Sequence, residues 1–223
     1  MKANTILDDT QRQFLYLFGK TKNLSNDFYL TGGTALAAFY IPYRYSEDLD
    51  FFSEKEVKME AITAFLGTIK KEVRYHSLDI STSYNRNLVF LELKDGKTLK
   101  TEFTYFPFPQ IEKPKSQFGV KIDSNIDIAI NKLFTIYQQP RSRDFIDLYM
   151  LQKEYGFSLS DLMKKARIKF DWHIDLLQLG TQFMQAAQLK DYPRLLKPID
   201  ENEWQEYFLS EAKKFKEEIL SSD

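Results

Sequence analysis

The stretch that most constrains this chain is Tyr29 to Phe52, YLTGGTALAAFYIPYRYSEDLDFF. Phe28-Tyr29-Leu30-Thr31 is a β-prone run stopped by Gly32-Gly33, and Thr34 to Tyr40 follows with helix-forming residues until Pro42 ends them. The pattern is strand, glycine turn, helix. A second strand follows, in which Leu49, Phe51 and Phe52 alternate with or flank Asp48 and Asp50. Residues at i and i+2 of a strand share a face, so this strand presents two carboxylates side by side while Leu49 and Phe51 turn to the core. Two hard oxygen donors so placed can bridge a pair of divalent cations ~3.5–4 Å apart, as in-line phosphoryl or nucleotidyl displacement requires, and magnesium is the natural ion. The Gly32-Gly33 turn lets the backbone approach a triphosphate. Its exposed N–H groups and helix start favour negative charge, and the Thr34 hydroxyl is a further donor. Taken singly each motif has a plainer meaning: a tight turn for the glycines, a solvated loop or helix cap for the aspartates.

The rest of the chain supplies context. Asp9 to Phe18 is an amphipathic helix with Phe14, Leu15 and Phe18 on one stripe, and Met59 to Val73 is another carrying Ile62, Phe65, Leu66 and Ile69. Asn87–Leu93 and Thr98–Tyr105 flank Lys94-Asp95-Gly96-Lys97, whose Asp-Gly pair signals a hairpin of two antiparallel strands. After the proline-rich Phe106 to Lys115 the strands are expected to stop. Helical periodicity then covers Asn125–Gln138, Asp144–Tyr155, Ser160–Phe170, Trp172–Leu189 and Glu201–Leu220. The expected architecture is α/β (α+β), with a catalytic core over 1–115 and a helical region over 116–223.

Composition narrows the partners. A net charge of −1 is not that of a dedicated nucleic-acid binder, so any such contact needs a local patch. The basic run Lys164, Lys165, Arg167 and Lys169 is one candidate, or simply a solvated face. With no cysteine there is no disulfide or thiolate zinc site, and His76 and His173 have no partner at ligand spacing. The N-terminal MKANTILDDTQRQF has no apolar segment after its lysine, and no run of ~18 apolar residues could span a bilayer. The expectation is a soluble, unprocessed cytoplasmic protein with no membrane partner.

Combined, the motifs resemble the AbiEii/AbiGii nucleotidyltransferase toxin family of the polymerase-β-like superfamily. Its signature is a strand, GG[ST], a short helix, then R-x-S-x-D-[IL]-D-[FL], and Arg44-Tyr45-Ser46-Glu47-Asp48-Leu49-Asp50-Phe51 matches every fixed position of the second half. The gap from Gly33 to Asp48 is one residue longer than the family's usual spacing, which points to a small bulge near Ile41-Pro42. The resemblance implies a polymerase-β-like core with a mixed or antiparallel sheet, and a third carboxylate on a later strand that ligands a metal and helps deprotonate the attacking hydroxyl. Glu102 in Lys100-Thr101-Glu102-Phe103 occupies that place, although aspartate is commoner there. Glu92 across the hairpin is the rival, and an exposed strand glutamate is the plainer meaning of either.

A second block, Lys132 followed by Arg141-Ser142-Arg143-Asp144-Phe145-Ile146-Asp147-Leu148-Tyr149, is similar to the K…RDxxDLY segment of the same toxins. It implies that Lys132 contacts nucleotide phosphates from the cleft that holds Asp48, and that Asp144 or Asp147 completes the site. The alternative is a capped helix start, with Asp144 as the N-cap. By resemblance, Gly32, Gly33, Thr34, Arg44, Ser46 and Lys132 bind the nucleotide, Asp48, Asp50 and Glu102 hold two Mg²⁺, and an NMP passes from an NTP to an acceptor hydroxyl. The family further implies a toxin–antitoxin or abortive-infection role, tRNA as acceptor and a winged-helix antitoxin encoded nearby. Acceptors on a protein side chain or a small molecule, and a catalytically silent nucleotide-binding protein, are the competing expectations.

Overall fold

Buried aromatic residues at alternate strand positions determine how the first half of the chain packs. A computed structural model describes residues 6–221; the first five residues, where the sequence reads as lacking a targeting leader, lie outside the described residues, as do 222 and 223. The chain divides into two compact units, the first ending at Ser124 and the second beginning at Asn125.

The first unit runs α1 (Asp9–Lys20), α2 (Lys22–Ser25), β1 (Tyr29–Thr31), α3 (Gly32–Phe39), β2 (Leu49–Ser53), α4 (Met59–Val73), β3 (Tyr75–Ser83), β4 (Arg86–Leu93), β5 (Thr98–Tyr105), β6 (Lys115–Gln117) and β7 (Val120–Ile122). The strands form one mixed sheet in the order β3-β4-β5-β2-β1-β7-β6. β2 runs parallel to β5 and β1 parallel to β7; the other pairs are antiparallel. Along β2, Leu49, Phe51 and Ser53 are buried and Asp50 and Phe52 half-buried, the alternation a one-sided strand requires. The buried face packs on α1 and α4: the Phe18 and Phe51 rings lie 4.4 Å apart, Phe51 and Phe103 5.2 Å, and Phe14 and Phe65 5.6 Å. Each fully buried Phe contributes about 1.5–3 kcal/mol through its area alone. Helix α1 starts in a capping box, Asp8 and Gln11 each accepting from the other's backbone N–H.

One expectation is corrected. Strands do not stop at 115: β6 and β7 join the sheet, and β3, unassigned in the sequence, forms its other edge. These edge segments lack an apolar period, since β6 is wholly exposed and β3 mostly so. Beside Ile41-Pro42, where the longer gap points to a bulge, α3 ends irregularly, with the N–H groups of both Tyr40 and Ile41 donating to the Leu36 carbonyl at 3.0 and 2.9 Å.

The second unit consists of α5 (Asn125–Gln138), α6 (Ser142–Tyr155), α7 (Leu159–Phe170), α8 (Leu176–Met184), a 3-10 turn at Gln185–Ala187 and α9 (Glu201–Ser221). Phe145, Phe183, Phe208 and Trp204 form its centre, with Phe145 and Phe208 rings 4.8 Å apart and Phe183 and Phe208 4.9 Å. Within the basic run on α7, Lys169 is not a surface cation: it is 2% exposed, and its ammonium lies 2.6 Å from Oδ1 of the buried Asp127. Among the described residues no helix is long and apolar enough to cross a membrane.

Candidate active site

The glycine turn is fixed by what stands against it. Gly32 has φ +72°, and a Cβ there would lie 2.4 Å from Asp50 Oδ2. A Cβ on Gly33 would lie 2.1 Å from Arg44 Nη2 and 2.9 Å from Ser46 Oγ. Only glycine accepts both the left-handed backbone and these approaches. The turn therefore lies against Asp50 and against the loop leading to Asp48. Thr34 is fully buried, and its hydroxyl donates to the backbone carbonyl of Asp48. Its single donor is thus spent on placing Asp48 rather than directed outward.

Asp48 immediately precedes β2, and Asp50 lies within it. In the sheet register Asp50 is flanked by Thr31 of β1 on one side and Glu102 of β5 on the other. Adjacent strands lie about 4.8 Å apart, so Asp50 and Glu102 are neighbours on one face. Glu92 instead pairs with Thr98 near the hairpin end and accepts that residue's hydroxyl at 2.9 Å. Of the two candidate glutamates, Glu102 is the one in register with Asp50.

Each outer carboxylate of the row meets a cation. Lys100 Nζ lies 2.6 Å from Asp48 Oδ2, with both side chains 36% exposed. Arg86 grips Glu102 with two parallel bonds, Nε to Oε1 at 2.7 Å and Nη2 to Oε2 at 2.6 Å, and the Thr104 hydroxyl donates to Oε1 at 2.6 Å. Burial pushes the Glu102 carboxyl upward, but the hydrogen bonds from Arg86 and Thr104 and the charges of Arg86 and Lys100 outweigh it and hold the group below the usual carboxylate range. Glu102 is an anion here.

The hard oxygens of Asp48 and Asp50 suit a divalent cation such as magnesium. Arg86 and Thr104 occupy three of the roughly four acceptor positions of Glu102, leaving little capacity for a cation while Arg86 stays in place. Among the described residues, no group of three or more His, Cys, Asp or Glu is drawn together as a metal cluster.

Two supports escaped the sequence reading. Gln11 of α1 donates through Nε2 to the carbonyls of Ser46 and Glu47 at 3.3 and 3.0 Å, tying the helix to the loop before Asp48. The Asp8-x-x-Gln11 spacing marks it as a capping residue but says nothing of this reach. Asp123, fully buried after β7, accepts from the Thr31 hydroxyl at 2.7 Å and from Gln110 Nε2 at 2.6 Å, anchoring the residue that precedes the glycines. No pattern in the sequence singles it out. Arg44 is 4% exposed and bonds the Tyr45 carbonyl at 2.9 Å and the Tyr43 hydroxyl at 3.3 Å. It is a buried brace beneath Gly33.

The second block forms a cluster of its own in the helical unit. Lys132 Nζ lies 2.8 Å from Asp144 Oδ1 and 2.6 Å from Asp147 Oδ2, and Arg141 Nε lies 2.7 Å from Asp144 Oδ2. Both aspartate side chains are fully buried. Burial raises the Asp144 carboxyl, yet the Lys132 and Arg141 charges bring it below its ordinary value. The N-cap of α6 is Arg141, so Asp144 sits in the first turn and does not cap the helix.

A glycine turn entering a helix is thus packed on a strand whose paired carboxylates lie beside a third in the sheet. Over residues 15–220 the chain matches the family described as nucleotidyl transferase AbiEii toxin, type IV toxin–antitoxin system, and it belongs to that family. It is 32% identical over 149 residues to the protein aq_aa25 of Aquifex aeolicus (strain VF5), covering 66% of this chain and 68% of that one. The crystal structure of JHP933 from Helicobacter pylori matches with a TM-score of 0.60 at 22% identity, covering 98% of this chain and 96% of that one, a likeness of fold.

Proposed function

We propose that the chain transfers a nucleoside monophosphate from an NTP to a hydroxyl at the 3′ end of tRNA, releasing pyrophosphate, as the toxin of a toxin–antitoxin or abortive-infection module. The observation that carries the reaction is the registered row of Asp50 and Glu102 with Asp48 two residues before Asp50, set against the Gly32-Gly33 turn. Asp48 and Asp50 are the residues that would hold Mg²⁺, which would supply neutralisation of phosphate charge and activation of the attacking oxygen. Gly32 and Gly33 offer close backbone approach to the triphosphate. Thr34 and Gln11 fix the backbone at and before Asp48, Arg44 and Ser46 lie against Gly33 and support the nucleotide as the family resemblance implies, and Glu102, in register beside Asp50, is the third carboxylate that assists the nucleophile. A part for Lys132, Asp144 and Asp147 in handling the nucleotide rests on the family resemblance alone, since in the helical unit Lys132 is paired with both aspartates. The tRNA acceptor and a winged-helix antitoxin likewise rest on family membership.

The test is incubation of the purified protein with each labelled NTP, Mg²⁺ and total tRNA. Label at the tRNA 3′ end, lost on adding EDTA, is the expected result. Label recovered only in protein, or incorporation indifferent to EDTA, would overturn the acceptor or the metal respectively.

A further inference from the structure

The two cations on the carboxylate row differ in how firmly they are held. Arg86 grips Glu102 bidentately, and the Glu102 side chain is only 8% exposed. Lys100 makes one contact to Asp48, between two side chains each 36% exposed. A half-exposed single pair contributes roughly 0–1 kcal/mol, so it opens readily. Lys100 also lies two residues before Glu102 on β5, hence on the face that carries Asp50. Its flexible stem allows the ammonium to swing while staying beside the aspartates, and a lysine ammonium is an effective point-charge binder of phosphate.

We propose that Lys100 is an exchangeable cation: it neutralises Asp48 in the resting protein, leaves when a divalent ion is bound there, and then binds the outer phosphates of the NTP and the departing pyrophosphate. The proposal rests on Asp48 and Asp50 being the metal-holding pair. It assigns opposite effects to one side chain, since Lys100 competes with the metal but assists the nucleotide, and a purely structural ion pair would do neither.

Mn²⁺ binding to the full chain without nucleotide, followed by the EPR signal of the free ion, tests the first half. Lys100→Met should tighten Mn²⁺ roughly two- to fivefold, the competing pair being lost, and Asp48→Asn should weaken it sharply. At saturating Mn²⁺, Lys100→Met should weaken a non-hydrolysable NTP analogue about tenfold or more, with Lys100→Arg recovering part of the loss. If Lys100→Met leaves Mn²⁺ affinity unchanged while Asp48→Asn weakens it, the exchange is refuted and the metal assignment stands. Tighter metal with unchanged nucleotide affinity refutes the phosphate contact. If neither substitution alters Mn²⁺ binding, the metal assignment fails and the exchange fails with it.

Discussion

Substituting Gly32 should separate stability from activity. Alanine there must adopt φ +72°, a left-handed conformation that costs about 1–2 kcal/mol. Its Cβ would also stand 2.4 Å from Asp50 Oδ2, an ångström inside the 3.4 Å at which ordinary contact begins. Asp50 is only half-buried, so it can retreat without disturbing the core, and the stability loss should stay near the backbone cost. A displacement of about 1 Å at a reacting centre can lower turnover by roughly 10²-fold. Gly33→Ala differs because its Cβ would meet Arg44 Nη2 at 2.1 Å, and Arg44 is buried and bonded to Tyr45 and Tyr43. Overpacking of that kind costs about 1–3 kcal/mol, and activity should fall with the loop that precedes Asp48. Gly67→Ala on α4, where nothing lies within 4 Å, is the control and should stabilise by about 0.5–1 kcal/mol. Urea midpoints and label incorporation at equal folded concentration measure the two effects. Gly32→Ala with turnover within about twofold of wild type would refute the close packing of the turn on Asp50 as a functional constraint.

Glu102→Gln should cost far more activity than Glu92→Gln, because only Glu102 is in register with Asp50; the opposite ranking would move the third carboxylate to Glu92. Because the Glu102 carboxyl is held below its ordinary value, its stabilisation is present above the unfolded-state pKa and disappears as pH falls through the folded one. The stability advantage of wild type over Glu102→Gln should therefore narrow below about pH 4.3, and an advantage that widens on acidification would contradict the Arg86 clamp. Lys132→Met leaves Asp144 and Asp147 buried with one cation fewer, and breaking a buried pair in this way costs about 3–5 kcal/mol. A loss under about 1 kcal/mol in urea unfolding would show that the cluster adds nothing to the helical unit.

Much of this was legible because the residues concerned obey strong local rules. Gly32-Gly33 and Asp48-x-Asp50 mark the turn and strand by backbone freedom and side-chain alternation, and Asp95-Gly96 marks the β4–β5 hairpin, where Gly96 takes φ +82°. β3, β6 and β7 were not legible: the two edges expose their side chains, so no apolar period survives in their sequences. The pairings within the site are set by tertiary register, which spacing along the chain does not encode. Lys100 on Asp48, Arg86 on Glu102, and Gln11 on the Ser46-Glu47 carbonyls are of this kind. Lys169 shows the converse error, a charge whose sequence neighbours imply solvent while its helix face turns it onto Asp127.

The proposed reaction depends most directly on the aspartate pair, so the decisive measurement is NMP incorporation from labelled NTP by wild type, Asp48→Asn and Asp50→Asn, each shown to be folded by its urea midpoint. Both side chains are half-exposed, so both variants should fold. Each should lose incorporation by at least about 10²-fold. Wild-type incorporation in either variant at equal folded concentration would contradict the assignment of the reaction to this site.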